Sequence, residues 1–403
     1  MQLLLECGAH LEAKDDVGCT PLYVAAYYGK ADAVRSLLDL GANIETCDKT
    51  LWTPQHVASS GGYPDIVQLL LERGAHLEAK NDRGCTPLYV AAYNGEADAV
   101  RLLLDLGADI EGRHKGLWTP LHAASKGGHP GVVQLLLEQD AHLEAKNDWG
   151  GTPLYVAAYN RKGDAVRSLL DLGANIETRD NDLWTPLHAA SDGGHPNVVQ
   201  LLLECGAHLE AKNDWGGTPL YVVAYNGKAD AIRSLLNLGA NVETCAKNLW
   251  TPLHTTSSGG FPNVIQLLLE RGAHLEAKNN MGCTPLHEAA YNGKADAVRS
   301  LLNLGANVET YNNGLWTPLH VASKGGHPDV VRLLLERGAD LEAKNDVGWT
   351  PLHEAASSER CHVTWHDLAV TTKSPRVTPC HPNMAIAPFT LLLPKKRDCG
   401  QFE

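Results

Sequence analysis

No stretch of this chain approaches the roughly 18 to 20 consecutive apolar residues that a membrane-spanning helix needs, although 44% of its 403 residues are hydrophobic. The sequence therefore predicts no membrane insertion. The opening residues, Met1-Gln2-Leu3-Leu4-Leu5-Glu6, have neither the basic region nor the apolar stretch of a secretory signal. Basic charge is also short: 34 Lys and Arg stand against 47 Asp and Glu, a net −13, which argues against a nucleic-acid partner. Ten cysteines are present but not in pairs. Cys7 and Cys205, like Cys47 and Cys245, lie 198 residues apart and are copies of one another, a pattern that predicts reduced thiols and a cytoplasmic location. Catalytic signatures are missing too. There is no phosphate loop, dinucleotide turn or serine elbow. His287-Glu288-Ala289-Ala290 begins like a zinc-protease helix, but Tyr291 stands where the second histidine belongs, and Ser357 does the same after His353. The sequence thus predicts neither an enzyme nor a cofactor.

What the chain does have is a period. Thr-Pro recurs at Thr20, Thr53, Thr86, Thr119, Thr152, Thr185, Thr218, Thr251, Thr284, Thr317 and Thr350, each step 33 residues. Such a period marks a solenoid, whose units bury their apolar faces only by stacking on each other. Within a unit, threonine suits the cap of a helix and proline its first turn. Leu22, Ala25 and Ala26 then form the packing side of a short first helix. Glycines such as Gly29 or Gly61-Gly62 make the turn, and a second helix carrying Val34, Leu37 and Leu38, or Ile66 to Leu71, stops at Gly41 or Gly74. Asn81-Asp82-Arg83-Gly84 is turn chemistry for a finger between units. Odd units (Thr20, Thr86 and onward) resemble one another, as do even units (Thr53, Thr119 and onward), so the duplicated block is a 66-residue pair.

Thr119-Pro120-Leu121-His122-Ala123-Ala124, followed by Gly128-His129, Val132-Val133 and Leu135-Leu136-Leu137, resembles the ankyrin repeat. The resemblance implies an all-α ankyrin-repeat solenoid of helix pairs with short β-hairpin fingers. It also implies a non-enzymatic scaffold or adaptor whose concave face binds other proteins. The alternative is the recognition arm of a larger protein, such as a ubiquitin-ligase substrate adaptor or a channel. The array is expected over residues 1–356, with a partial unit at 1–19, ten complete units at 20–349 and a partial one from 350.

The resemblance implies that the concave recognition face is made by the finger tips, the residue before Thr-Pro and the residues after the alanine pair of the first helix. The column before Thr-Pro holds Trp52, Trp118, Trp184, Trp250, Trp316 and Trp349, and the column after the alanines Tyr27, Tyr93, Tyr159, Tyr225 and Tyr291, alternating with residues that include Lys126, Asp192 and Lys324. Two readings compete for the tryptophans: anchors for an extended partner, or packing across the finger onto the next unit, with Leu117-Trp118 and its copies as local staples. A glutamate column, Glu12, Glu45, Glu78 and onward every 33 residues, reads as a solvated ladder partly neutralised by Lys14, Lys80 and their copies. The histidines after Thr-Pro-Leu, such as His122, His188, His254 and His320, read as bridges between the backbones of adjacent units.

Departures from the pattern locate weak points. Gln55 replaces a core leucine, Asp140 stands at a helix-ending glycine, and Arg161 displaces a turn glycine, with Gly163 near enough to shift the turn. Residues 357–403 abandon the repeat and are expected to be disordered. Their Cys361-His362, His366 and Cys380-His381 match no zinc spacing, while Pro394-Lys395-Lys396-Arg397 resembles a nuclear import signal. Met1 falls inside a second helix, which predicts a truncated product or self-association through uncapped ends.

Overall fold

Every Thr-Pro from Thr20 to Thr350 opens a helix. A computed structural model describes Leu4 and residues 6–358, and among these are 21 α-helices and no β-strand. Thr20 sits in extended backbone and its hydroxyl accepts the amide of Tyr23, Pro21 fills the first turn, and the helix runs Pro21–Tyr27. The second helix of that unit, Ala31–Asp39, buries Val34 and Leu37 and places Asp32 in its first turn, where the helix dipole favours an acid. Even units begin this helix with proline, as in Pro64–Glu72 and Pro130–Glu138. The chain leaves it at Gly41 (φ 85°) or Gly74 (φ 97°), where a side chain would strain the left-handed turn.

First helices stack on first helices and second on second, and the first pack more closely, which makes their side the concave one. Small residues permit this approach: Ala91, Ala92, Ala123, Ala124, Ala157 and Ala158 are fully buried. One continuous apolar core runs from Leu22 to Ala339. The described repeats belong to one unit, residues 1–360. The tail motifs from Cys361 to Arg397 lie outside the described residues.

The fingers are tight turns rather than regular hairpin strands. Asn81 shows how most of them close: its amide donates to the Cys85 carbonyl, and its side-chain oxygen accepts the amides of Arg83 and Cys85, a role that His114 and Ala246 cannot fill in their fingers. A single backbone bond then ties each finger to the one before, as Asp82 to Thr50 and Lys115 to Arg83.

Side chains bolt the units together. In the units at Thr53, Thr119, Thr185 and Thr251, the threonine amide donates to histidine Nδ1 at 3.2–3.3 Å. The ring's Nε2 carries the proton and donates to a carbonyl of the next unit at 2.9–3.1 Å: His56 to Cys85, His122 to Gly151, His188 to Gly217 and His254 to Cys283. His287 and His320 reach Trp316 and Trp349 in the same way. The bridging role expected of these histidines is thus what the backbone geometry provides.

The glutamate column is solvent-facing, as expected, and is also bonded to the next unit. Glu12 accepts the amide of Asn43 at 2.7 Å and Glu45 that of His76 at 2.8 Å. The same bond, reaching 31 residues ahead, recurs up to Glu309 with Asp340. Lys14, Lys146 and Lys278 donate to carbonyls of the following finger instead of neutralising this column.

Candidate protein-binding face

The tryptophans do not form a uniform column. Trp118, Trp184 and Trp250 are only 5–7% exposed, Trp52 and Trp316 are half-buried, and Trp349 is 41% exposed. Among the five tryptophans after Trp52, the residue one unit earlier, at the third position of the first helix, goes with the difference; Trp52 is half-buried although Tyr23 precedes it. Trp118, Trp184 and Trp250 follow units that carry Tyr89, Tyr155 and Tyr221 there, whereas Trp316 and Trp349 follow His287 and His320.

A tyrosine ring is large enough to cover the following indole, and a histidine aimed at a backbone carbonyl is not. Tyr155, Trp184, Ala189 and Val222 accordingly form an apolar cluster of their own, with Trp215 packed against it. Trp118 stands edge-on to Trp149 at 5.6 Å and stacks on His114 at 5.9 Å. For Trp118, Trp184 and Trp250 the geometry supports the packing reading, one of the two that the sequence leaves open. The leucines before them take no part in a staple. Leu51, Leu117, Leu183, Leu249 and Leu315 all have φ between 57° and 62° and belong to the exposed apolar residues.

Cations overlie two of the indoles. Lys126 Nζ lies 5.3 Å from the Trp118 ring centre and Lys324 Nζ 4.5 Å from that of Trp316, distances at which an ammonium is attracted to an aromatic face. Lys324 also pairs with Glu354 at 3.6 Å. Asp192 accepts the side-chain amide of Asn226 at 2.7 Å, and Asn94 and Asn292 reach Ser60 and Ser258 at 2.9 and 3.1 Å. These asparagines position the alternating polar residues. Sequence reasoning missed them, although each directly follows a column tyrosine.

Among the tyrosines, Tyr27 is exposed and edge-on to Tyr28 at 5.0 Å, while Tyr93, Tyr159, Tyr225 and Tyr291 are half-buried. Their carbonyls are used as well. His129, His195 and His327 donate Nε2 to the carbonyls of Tyr93, Tyr159 and Tyr291 at 2.9–3.0 Å, which fixes the turn from which the tyrosine side chain projects.

Glu288 was the residue of a failed zinc motif, and the structure gives it another role. Its carboxyl is buried beside Asn279, whose amide donates to it at 3.0 Å, and burial pushes its pKa up to about 7 against the effect of that bond. His287 is occupied in the inter-unit bridge. Among the described residues no three His, Cys, Asp or Glu side chains are placed to hold a metal ion. None of their helices is long and apolar enough to cross a membrane.

A family model described as ankyrin repeats (3 copies) matches residues 1–81, 76–147, 140–213, 220–312, 275–345 and 309–365. The crystal structure of the human ASB11 ankyrin repeat domain is 33% identical in sequence. The match covers 54% of this chain and 97% of that one, with a TM-score of 0.50. No curated protein matches the chain.

Proposed function

We propose, from the premise that this chain belongs to the ankyrin-repeat family, that it is a scaffold or adaptor that takes a partner protein on its concave face. Ankyrin repeats are in general protein-interaction modules and typically non-enzymatic, so the question left to this chain's own residues is where a partner sits. The observation that carries the reading is the alternation along the concave side. Half-buried tyrosines, of which Tyr93, Tyr159 and Tyr291 are held by carbonyl bonds, alternate with residues that include Lys126, Asp192 and Lys324, these three each on a first helix.

Rigid aromatic bodies with polar ends give contact area at little entropic cost. The charged residues between them supply the register that tells one partner from another. The exposed Trp349 and the half-buried Trp52 and Trp316 extend this face. Trp118, Trp184 and Trp250 serve beneath it as support.

A photo-crosslinking residue placed at Tyr225 tests the reading against one placed at Arg233, on a second helix. Protein adducts formed from Tyr225 and not from Arg233 support the concave face. The reverse pattern sinks it.

A further inference from the structure

Lys324 stands in a socket made by its neighbours. Its Nζ lies 4.5 Å from the Trp316 ring centre and 3.6 Å from the carboxylate of Glu354, which also accepts the side-chain amide of Asn345 at 3.1 Å. An aromatic face and a carboxylate hold an ammonium by two attractions that act on the same charge. Glu354 is only 2% exposed, and its Oε2 is sealed from solvent.

The same socket recurs 66 residues earlier without its lysine. Trp250, Asn279 and Glu288 correspond to Trp316, Asn345 and Glu354, and Ser258 stands in the place of Lys324. The wall is built alike, since Asn279 donates its side-chain amide to Glu288 Oε1 at 3.0 Å. Asn292, at the end of the Glu288 helix, donates to the Glu288 carbonyl at 2.8 Å and to Ser258 Oγ at 3.1 Å, which holds Ser258 beside that helix. Among the described residues no cation pairs with Glu288, and its Oε2, unlike that of Glu354, is not sealed. Ser258 is partly exposed, so the place of the missing lysine opens to solvent.

A deep indole is no bar to such a contact. Trp250 follows Tyr221 and is 7% exposed; Trp118 follows Tyr89 and is 6% exposed. Lys126, the counterpart of Ser258, nevertheless brings its Nζ to 5.3 Å from the Trp118 ring centre. The site at Trp250 therefore joins the deep indole of one lysine-bearing copy to the buried carboxyl of the other, and it lacks the lysine of both. Burial pushes the Glu288 carboxyl up to about 7 with no cation to oppose it, whereas at Glu354 Lys324 acts against the effect of burial. The copy at Trp52 has a serine too, Ser60, but Val90 stands where the carboxyl would be.

We propose that Trp250, Ser258 and Glu288 form a socket for a lysine side chain of the partner protein, an inference that rests on the concave-face reading for the source of that lysine.

Fluorine NMR of the full chain carrying fluorotryptophan reads each indole separately, with Trp250 assigned by the signal lost in Trp250→Phe. Three small ligands serve as probes: butylammonium, Nα-acetyl-lysine N-methylamide as a lysine in a peptide setting, and the uncharged Nε-acetylated form of the latter. The Trp250 signal should shift saturably with the first two and not with the third. Trp52 should stay in place, as should Trp118 and Trp316 beneath their own lysines. Glu288→Gln, which keeps an acceptor for Asn279, should weaken Kd by about tenfold or more, and Ser258→Lys should abolish the shift by filling the socket from within. No shift at Trp250, an equal shift with the acetylated ligand, or an unchanged response in either variant overturns the proposal. A response to butylammonium alone does so as well, because a lysine within a peptide would then not enter. Only small ligands are used, so a failed socket leaves the Tyr225 crosslink untouched, and a failed concave face leaves the socket readable.

Discussion

The slot three residues after each capping threonine is filled in two ways, and the two kinds of junction differ in what they depend on. A histidine there ties its own threonine amide to a main-chain carbonyl of the next unit, as His122 does with Thr119 and Gly151. A tyrosine there lays its ring against the following unit and leaves its hydroxyl to whatever side chain the next finger supplies. For Tyr23 this is Asp48, at 3.2 Å. In the later copies the finger residue becomes His114, Asp180 and Ala246. A backbone carbonyl survives any substitution, whereas a side-chain partner does not. From Thr251 onward every unit has the histidine, so the array passes from alternating junctions to uniform ones.

Acid should separate the two kinds most strongly. Burial holds the imidazoles of His122, His188, His254 and His287 down at about 4, because the charged form cannot be solvated and Nδ1 already faces an amide donor. Their folded pKa lies below the unfolded value of about 6.5. The unfolded chain therefore takes up protons first as pH falls. Stability is fully present above pH 6.5 and is lost between about pH 6.5 and 4. Each histidine contributes about 1.4 kcal/mol per pH unit over that window, or on the order of 3 kcal/mol. Urea unfolding at a series of pH values should show this slope, and hydrogen exchange should accelerate first in the units from Thr251 onward. Equal acceleration around Tyr89 and Tyr155 would remove the distinction.

Single substitutions sharpen it. His188→Ala strands the Thr185 amide and removes the donor to the Gly217 carbonyl in a buried junction, for an expected loss of about 2–4 kcal/mol. Tyr155→Ala should instead expose Trp184 to the degree seen for Trp316 and shift its fluorescence to the red. Gln55 lies in the opposite direction. Both polar atoms of its side chain are buried without a partner, so Gln55→Leu should raise stability by about 1–3 kcal/mol. A lower urea midpoint for that variant would show that the amide is satisfied after all.

The first helices, caps and turn glycines were legible because their causes are local: threonine, proline and glycine act within a turn of themselves. Asp140 takes the left-handed geometry expected of it, at φ 64°. Arg161 does not follow expectation. The turn is not shifted to Gly163, which starts the second helix; Arg161 itself adopts φ 61°. The turn is closed by the Arg161 and Lys162 amides on the Ala158 and Ala157 carbonyls, and His195 of the next unit adds a bond to the Tyr159 carbonyl that no local signal carries. The glutamate bonds and the burial of Trp118 were illegible for the same reason, since each depends on a residue about 30 positions away. Arg161→Gly should accordingly stabilise by about 1–2 kcal/mol, which a rise in melting temperature would register.

The smallest expected effect tests the comparison most finely, because it changes one oxygen atom. Tyr23 and Tyr89 fill the same slot 66 residues apart. The Tyr23 hydroxyl donates to Asp48, but the Tyr89 hydroxyl is buried without a partner, its ring edge-on to His114 at 4.7 Å, and His114 Nδ1 is likewise buried and unpartnered. Removing a satisfied, half-buried hydroxyl costs about 0.5–1.5 kcal/mol, whereas removing an orphaned buried one recovers its desolvation cost. Tyr23→Phe should therefore lower the urea midpoint, and Tyr89→Phe should leave it level or raise it by up to about 1 kcal/mol. Opposite signs from one chemical change would mean that the neighbouring finger, and not the tyrosine, sets the strength of these junctions. Equal losses would mean that the Tyr89 hydroxyl is bonded in solution, and the two copies would then be equivalent.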